Sequence, residues 1–459
     1  MSHDRRTLVT AGLALGALLP AAASAAGPRR NETTAPARLA PSAEMGLVPD
    51  AAGDQSRAFQ VAIDAASERG GALILGPGRY RVRDIRLRAG SLLIGTPGRT
   101  SLVLAAPGRL LSGDGAHGVR LDGLNLDGGG HSLGEGQRVG LVTLVNSRDI
   151  DLRDLMVTRS AAHGLMLLRC GGRMADCRVS NIGETGIFSI DATGLEISHN
   201  VIQDCANNGI LVWREALGED GTVVSANRIE RIRAERGGSG EYGNGVNVYR
   251  AGNVLVTGNR IADCAYTAIR GNAASNIQMV GNSCSRLGEV ALYAEFGFEG
   301  ALIASNIVET AAAGISVTNF NEGGRLAVVQ GNLIRNLRRR EHESVDKRGE
   351  GIAVEADAVV TGNTIENAPT AGIVVGWGRY MRDCAVTSNV IRNARVGIMI
   401  TRDPQAGSAL IAQNLISGVR EGAIRAMDNG VLVGADLVRS GTSSTRILIQ
   451  GNMAADSTA

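Results

Sequence analysis

The chain has 459 residues, of which 62 are glycine and only 3% are aromatic. Its formal net charge at pH 7 is +2, so no overall field would attract nucleic acid or an anionic membrane. Abundant glycine with few aromatic side chains is typical of short stacked strands and turns, and it argues against several ordinary globular domains.

The first 25 residues have the pattern of an export signal. Arg5 and Arg6 precede an apolar stretch, and the small residues 23–25 form a cleavage site. The arginine pair predicts twin-arginine export, with the twin-arginine translocase as a transient partner. Because alanine and glycine dilute the apolar stretch, we expect a cleaved signal peptide and not a stable membrane anchor. The predicted location is periplasmic or secreted.

A helix is predicted near the start of the mature chain. Residues 54–69 carry apolar side chains at helical spacing, with Phe59, Ile63 and Ala66 on one face and Asp54 as the N-cap. Strands follow directly after it. Since a stack of repeats must cover its ends, we expect this helix to cap the N-terminal end of the fold.

Two residue patterns repeat along most of the remaining chain. One is an asparagine before apolar residues, at intervals from 23 residues (Asn259 to Asn282) to 38 (Asn414 to Asn452). The full series is Asn200, Asn227, Asn259, Asn282, Asn306, Asn332, Asn363, Asn389, Asn414 and Asn452. The other is a glycine before alternating apolar residues: Gly164, Gly186, Gly209, Gly245, Gly314, Gly351, Gly372 and Gly397.

A period in the twenties with short alternating strands predicts one turn of a solenoid per repeat. Asparagine tolerates left-handed backbone and can bond the next turn's amide, so we expect an asparagine ladder. Leucine-rich repeats would need a leucine spacing and a helical back that the sequence lacks. We therefore predict an all-β fold: a single-stranded right-handed parallel β-helix over residues 51–459, with its capping helix, after a linker at residues 26–50.

Earlier coils lack the asparagine but keep the alternation. The sequences align Arg120 with Asp151 and Asp122 with Arg153, which predicts an exposed ion-pair ladder. Six cysteines are present, but the repeat places Cys205 and Cys264 two coils apart, too far to bond. We expect buried free thiols, no metal site, no cofactor and a monomer.

The opening of the predicted solenoid resembles that of pectate-lyase-like β-helix proteins. The similarity lies in Asp54–Gln60, the pair Gly70–Gly71 and the turn Pro77–Tyr80. With the arginine pair and the asparagine repeats, the whole chain resembles the twin-arginine-translocated uncharacterised repeat proteins of proteobacteria. The resemblance implies this fold and export, and no activity, since that family has no established one.

The catalytic motifs of related enzymes are mostly missing. Of the N-T-D, D-D, G-H-G and R-I-K motifs of polygalacturonase-like hydrolases, only Ala162-His163-Gly164 is faintly similar to one. Mannuronan epimerases carry D-P-H-E, whereas Asp403-Pro404 lacks the histidine. No catalytic residue follows from the resemblance.

A ligand-binding face is predicted from the alternation after each glycine, because the second and fourth positions point outward and stack into a ribbon. In the central coils these positions are Leu211 and Trp213, Asn247 and Tyr249, and Arg270 and Asn272. Flat aromatic side chains beside amides suit sugar rings. The candidate substrate-binding residues for a polysaccharide are therefore Trp213, Asn247, Tyr249 and Asn272.

Candidate catalytic residues border the same ribbon. Glu215 and Glu241 are the available carboxylate pair for glycoside hydrolysis. A uronate lyase or epimerase would instead need a cation such as Arg270 or Arg250, with Tyr249 or His163 as the base. These charges could equally be solvated loop residues. The sequence thus leaves open a glycan-binding protein or a polysaccharide hydrolase, lyase or epimerase.

Overall fold

The computed structural model describes most of the predicted solenoid. The predicted signal peptide and most of the predicted linker lie outside the described residues. The described residues are 39–41, 45–134, 136, 138–339, 349–440 and 445–455.

Each full coil contributes one strand to each of three sheets, and neighbouring strands pair in parallel except for the last two strands of sheet 3. Sheet 1 contains Leu39–Pro41, Ala72–Ile74, Leu92–Ile94, Arg120–Asp122, Ile150–Arg153, Gly172–Ala175, Leu195–Ser198, Val223–Ser225, Leu255–Thr257, Ile277–Val280, Glu299–Ala304, Arg325–Gln330, Ala358–Thr361, Cys384–Thr387, Ala409–Ala412 and Ile447–Gln450. Sheet 2 contains Gly78–Val82, Thr100–Leu104, Asn125–Asp127, Met156–Ser160, Arg178–Ile182, Val201–Cys205, Arg228–Ile232, Arg260–Cys264, Ser283–Ser285, Ile307–Glu309, Leu333–Arg335, Thr364–Glu366, Val390–Arg392, Leu415–Ser417 and Met453–Ala455. Sheet 3 contains Ile85–Arg86, Leu111–Asp114, Gly140–Val145, His163–Leu168, Thr185–Ile190, Asn208–Glu219, Asn244–Gly252, Ile269–Asn272, Val290–Glu295, Ala313–Val317, Glu350–Val354, Ala371–Val375, Val396–Thr401, Ile424–Asp428 and Val431–Val433. The predicted right-handed parallel β-helix is confirmed.

The core is a set of side-chain rows that run along the solenoid axis. In sheet 3, Ile187, Ile210, Val246, Ile269 and Leu292 occupy paired positions of successive strands, and all are buried. Burying each such side chain contributes about 1.5–3 kcal/mol. A coil has no core of its own, so this stabilisation exists only when its neighbours are in place.

The predicted asparagine ladder is present between sheets 1 and 2. In a typical rung, the backbone N–H and Nδ2 of Asn306 both donate to Oδ1 of Asn332, at 2.9 and 3.0 Å. Its own Oδ1 accepts from the N–H and Nδ2 of Asn282, and its Nδ2 also donates to the Met279 carbonyl at 2.8 Å. Each asparagine therefore satisfies buried backbone groups on neighbouring coils.

Asparagine was expected at this turn partly because it tolerates left-handed backbone, but the structure places the left-handed conformation elsewhere. The left-handed residue of each turn is the one before the asparagine, for example Ala226 (φ 54°), Ser305 (φ 57°) and Gly362 (φ 65°). The ladder asparagines themselves are not left-handed. Asparagine is therefore selected for its amide, while the preceding position bears the conformational cost.

The six cysteines are buried and unpaired, as expected. Cys205 and Cys264 are aligned with Ile232 between them, so two coils separate them. Burial raises the pKa of Cys205 to about 12 and that of Cys170 to about 11. Cys177 occupies the ladder position one coil before Asn200, and its backbone N–H donates to the Asn200 Oδ1.

The capping helix, α1, spans Ser56–Glu68 and buries the predicted Phe59, Ile63 and Ala66. Its N-cap is Gln55 and not the expected Asp54. The Asp54 carboxylate lies one residue earlier and accepts the N–H of Ser56 at 2.8 Å.

Other chain-end features were not expected. Within the segment predicted as a linker, Leu39–Pro41 forms a strand that pairs with Ala72–Ile74. At the other end, Val431–Val433 turns back antiparallel to Ile424–Asp428. This reversal is followed by α2 at Leu437–Ser440. A short 3₁₀ helix, also not expected, lies within the solenoid at Phe320–Glu322.

The predicted register of the early coils is confirmed, since Arg120 pairs with Asp151 and Asp122 with Arg153. Nε of Arg120 lies 3.9 Å from the Asp151 carboxylate. Among the described residues, the structure has no helix long and apolar enough to cross a bilayer.

Candidate functional site

The outward face of sheet 3 carries an apolar cluster separate from the core. Phe188, Ile190 and Leu211 are buried there, and Trp213 packs against them. Ile210 and Val212 belong to the interior core instead. The strand therefore alternates as predicted, and its second and fourth positions form an outer ribbon.

Aromatic rings follow one another along this ribbon. The ring centroids of His163 and Phe188 are 5.0 Å apart, those of Phe188 and Trp213 are 5.2 Å apart, and those of Trp213 and Tyr249 are 5.4 Å apart. Trp213 and Tyr249 occupy paired positions of adjacent strands. We call these four side chains the aromatic row.

A cleft of about 250 Å³ opens beside the aromatic row, and we call it cleft 1. It is lined by Arg138, His163, Glu184, Thr185, Phe188, Ile190, Asn208, Leu211, Trp213, Arg214, Glu215, Arg236, Glu241, Tyr242 and Tyr249. Four of the seven predicted site residues are among them: Trp213, Glu215, Glu241 and Tyr249.

One wall of cleft 1 is the loop 233–243, which connects sheets 2 and 3 in a central coil. Asn247, a predicted ligand-binding residue, donates through Nδ2 to the Gly240 carbonyl at 3.0 Å. Asn208 donates to the Glu241 carbonyl at 3.0 Å. Asn247 therefore holds the loop that carries Glu241 and is absent from the lining of the cleft.

The charged groups of cleft 1 are mostly paired. Glu215 contacts Arg138 at 2.5 Å, and Glu184 contacts Arg236 at 2.5 Å. Burial raises the pKa of Glu184, although Asn207 donates to its carboxylate at 2.7 Å. Glu184, which sequence reasoning missed, is therefore a carboxyl group of the cleft whose protonated form is favoured by burial.

The same wall contains a tyrosine with an altered ionisation. Burial and the neighbouring Glu241 carboxylate raise the pKa of Tyr242. Tyr242 therefore stays a neutral phenol at physiological pH and can donate a hydrogen bond.

Among the polar atoms near the aromatic row that are buried without a partner in the described residues are Nε1 of Trp213 and Oδ1 of Asn247. A buried donor or acceptor left unpaired costs about 1–3 kcal/mol. Of these two residues, Trp213 lines the cleft, so a ligand hydroxyl could satisfy its indole N–H.

Arg270 and Asn272 do not line cleft 1. The Arg270 guanidinium makes two contacts with the Glu295 carboxylate, at 2.6 and 2.8 Å, and one with Glu289 at 3.4 Å. It also covers the Tyr293 ring at 4.9 Å. Asn272 donates to Glu295 at 3.0 Å. Both predicted site residues are thus engaged in one buried ion-pair network.

This network reaches the cleft indirectly. Ser239 of the loop 233–243 donates to Glu289 at 3.0 Å, so the network anchors the loop. Arg270 was predicted to face the ligand, but the structure pairs it with Glu289 and Glu295 of the next coil.

Two protein-family models match parts of the chain. The model described as right handed beta helix region matches residues 215–391, and that described as periplasmic copper-binding protein (NosD) matches residues 115–286. Comparison with curated proteins gave no significant match.

Several solved structures share the fold at low identity. The pre-mature bacteriophage phi29 gene product 12 is 13% identical, over 84% of this chain and 69% of that one, with a TM-score of 0.51. The Streptococcus pneumoniae surface adhesin PfbA is 14% identical, over 86% and 99%, with a TM-score of 0.49. The catalytic unit of a GH87 alpha-1,3-glucanase from Streptomyces thermodiastaticus is 13% identical, over 93% and 70%, with a TM-score of 0.47. The match to the right handed beta helix model and the three stacked sheets identify the chain as a right-handed parallel β-helix protein. The similarity to solved structures concerns the fold alone.

The description of the NosD model names copper, but the residues described here do not fit a copper site. Throughout the described part of the chain, no three His, Cys, Asp or Glu side chains converge as metal ligands. Burial raises the pKa of Cys177, Cys284 and Cys384 to about 12. Buried, protonated thiols are poor metal ligands.

Proposed function

We propose that this protein binds a polysaccharide in cleft 1, on the outward face of sheet 3. The observation that carries the proposal is the aromatic row, in which Trp213 lines the cleft with an indole N–H that has no partner among the described residues. Aromatic rings stack on the apolar faces of sugars, and the surrounding polar groups bond to hydroxyls. A stack of coils repeats this surface along one axis, which suits a linear polymer.

The test is binding by the Trp213→Ala variant. We expect its affinity for the bound polysaccharide to fall about tenfold or more, because the central stacking ring and its N–H donor are lost. Affinity electrophoresis in gels that contain bacterial or plant polysaccharides measures this directly. The matched control is Phe296→Ala, which removes an exposed aromatic ring outside cleft 1. Equal migration of Trp213→Ala and the wild type would contradict the proposal.

A second candidate function, glycoside hydrolysis, is favoured by one observation. Glu184 has a raised pKa, and Glu215 lies in the same cleft as an ion-paired carboxylate. Hydrolysis needs one protonated carboxyl group and one carboxylate. In this mechanism Glu184 would protonate the leaving oxygen, while Glu215 or Glu241 would supply the carboxylate.

The enzyme hypothesis is tested by new reducing ends after incubation with the bound polysaccharide. Glu184→Gln should retain binding and lose turnover, and the wild-type rate should fall as the pH rises through the raised pKa of Glu184. Glu309→Gln, at an exposed ion pair with Arg335, is the matched control. Ultraviolet absorbance of an unsaturated uronate would identify a lyase instead. If neither readout detects a product, the enzyme hypothesis fails and only the binding function remains.

We also propose that the protein is exported through the twin-arginine pathway to the periplasm or beyond. Arg5 and Arg6 before the apolar stretch support this pathway, and the periplasmic description of the NosD model supports the compartment. Replacing both arginines by lysine should leave the uncleaved precursor in the cytoplasm, as measured by cell fractionation. Unchanged export of that variant would exclude the pathway.

A further inference from the structure

Two adjoining cavities open on the outward face of sheet 3, further towards the C-terminal end than cleft 1. Their volumes are about 190 and 300 Å³, and both are lined by Glu350 and Trp377. We call them together cleft 2. Tyr249 of cleft 1 and Tyr293 of cleft 2 lie on strands of sheet 3 that are separated by the strand Ile269–Asn272, so the nearest coils of the two clefts are two apart. At the spacing of β-strands this is about 9–10 Å along the axis.

Cleft 2 contains polar atoms that nothing in the described chain satisfies. Oγ1 of Thr370 is buried without a hydrogen-bond partner among the described residues, and the residue is only 3% exposed. Nε of Arg395 is buried and also unpartnered there, although its NH1 contacts Glu421 at 3.0 Å. Both residues line the larger cavity. Such groups are costly unless a ligand or water completes their bonding.

An aromatic wall accompanies these polar atoms. Trp377 lines both cavities and packs on the outer apolar cluster that includes Val374 and Met399. Its ring lies so close to Gly430 that a side chain at Gly430 would meet it at 2.8 Å. The tryptophan is therefore held as a fixed surface, as a sugar ring requires.

The charges of both clefts argue against a polyanionic ligand. Each arginine that lines cleft 1 lies within 4 Å of a carboxylate, in the pairs Arg138–Glu215, Arg236–Glu184 and Arg214–Asp220. Among the described residues lining cleft 2, Arg395 is the single arginine or lysine, beside the acids Glu350 and Glu355. A chain of uronates would therefore gain no net attraction in either cleft.

We propose that cleft 2 is a second site for the same ligand and that one uncharged polysaccharide chain occupies both clefts. This inference rests on the proposed function of cleft 1. Two sites on one rigid solenoid make the second binding event intramolecular, which raises the affinity for a polymer by a factor of about 10²–10⁴ over either site alone. A short oligosaccharide that fills one cleft does not gain this factor.

Two variants separate ligand binding from folding. Trp377→Ala removes the aromatic wall. Thr370→Val removes only the unpartnered hydroxyl, so its melting temperature should equal or exceed that of the wild type. Both should weaken binding to the polymer at least about tenfold, because the avidity of the second site is lost or reduced. Phe296→Ala again serves as the control.

The probes are laminarin, galactomannan and soluble starch as neutral polymers, with alginate and polygalacturonate as charged ones. Affinity electrophoresis gives the polymer affinity, and calorimetry with the disaccharide of the bound polymer, which is too short to fill both clefts, gives the stoichiometry. We expect two disaccharides per wild-type chain and one per Trp377→Ala or Trp213→Ala chain.

The outcomes are distinguishable. One disaccharide per wild-type chain, or polymer affinity unchanged in both Trp377→Ala and Thr370→Val, would overturn the second site. Binding of only the charged polymers would overturn the neutral ligand class. If Trp213→Ala also bound like the wild type, the proposed function of cleft 1 would fail instead.

Discussion

Among single residues, the ladder asparagines make the densest set of buried hydrogen bonds. Asn306 donates three and accepts two, and its partners lie on the coils before and after its own. Its neighbour Asn282 has a buried backbone N–H whose acceptor is the Asn306 side chain. Loss of one asparagine side-chain amide would therefore leave buried polar groups without a hydrogen-bond partner.

We predict that Asn306→Ala lowers the free energy of unfolding by about 2–4 kcal/mol, because at least two buried groups lose their partners. Urea unfolding followed by circular dichroism measures the change. Asn321→Ala, at an exposed position of the short 3₁₀ helix, should change it by less than about 0.5 kcal/mol. Similar transitions for the two variants would show that the ladder contributes little.

Residue roles were only partly readable from the sequence. Trp213, Tyr249, Glu215 and Glu241 were predicted as site residues, and the structure brings them to one cleft. Glu184 was missed because it lies at the edge of a strand and belongs to no repeated pattern. Its pairing with Arg236 depends on the path of a loop that the periodicity does not describe.

At the level of the elements, the turn between sheets 1 and 2 needs a left-handed residue in each coil of the ladder. Glycine occupies that position at Gly258, Gly331 and Gly362, whereas Ala226 and Ser388 adopt the same conformation with a side chain. A left-handed residue with a Cβ costs about 1–2 kcal/mol. The turn is therefore kept by the stacking of the strands on either side.

We predict opposite effects for two substitutions at this turn. Ala226→Gly should raise the free energy of unfolding by about 0.5–1 kcal/mol, since the relieved backbone strain exceeds the added entropy of the unfolded chain. Gly362→Ala should lower it by a similar amount. A Cβ at Gly362 meets no atom within 4 Å, so a clash would not explain the loss. Urea midpoints that shift in the same direction for both variants would contradict this account.

For the whole molecule, the solenoid consists of coils that contact mainly their immediate neighbours. The ladder intervals show where one coil can be removed without disturbing the register. Deleting residues 363–388 joins Gly362 to Asn389 and recreates the Gly-Asn turn. Asn332 would then donate to Asn389 in place of Asn363.

We predict that this one-coil deletion still folds, with a modestly lower melting temperature, because stability is roughly a sum over coils and their interfaces. It lacks Trp377 and should keep the binding that depends on Trp213. A deletion of residues 363–375 serves as the control, since it removes part of a coil and places strands of different sheets against each other. Circular dichroism and gel filtration distinguish a folded from a collapsed product. Equal behaviour of both deletions would contradict the repeat model.

The sequence by itself determined the coil period, the ladder, the inward and outward alternation and the ion-pair register of the early coils. These features repeat, and each depends on residue type at a fixed offset from the next coil. Only the tertiary structure decided the clefts and their charges. The loop 233–243, Glu184 and Arg138 come from different coils. Spacing alone predicted that Arg270 would face a ligand, whereas in the structure its guanidinium is paired with Glu289 and Glu295. Such contacts depend on where nonrepeating loops fold back and which side chains they pair, and a period does not encode that.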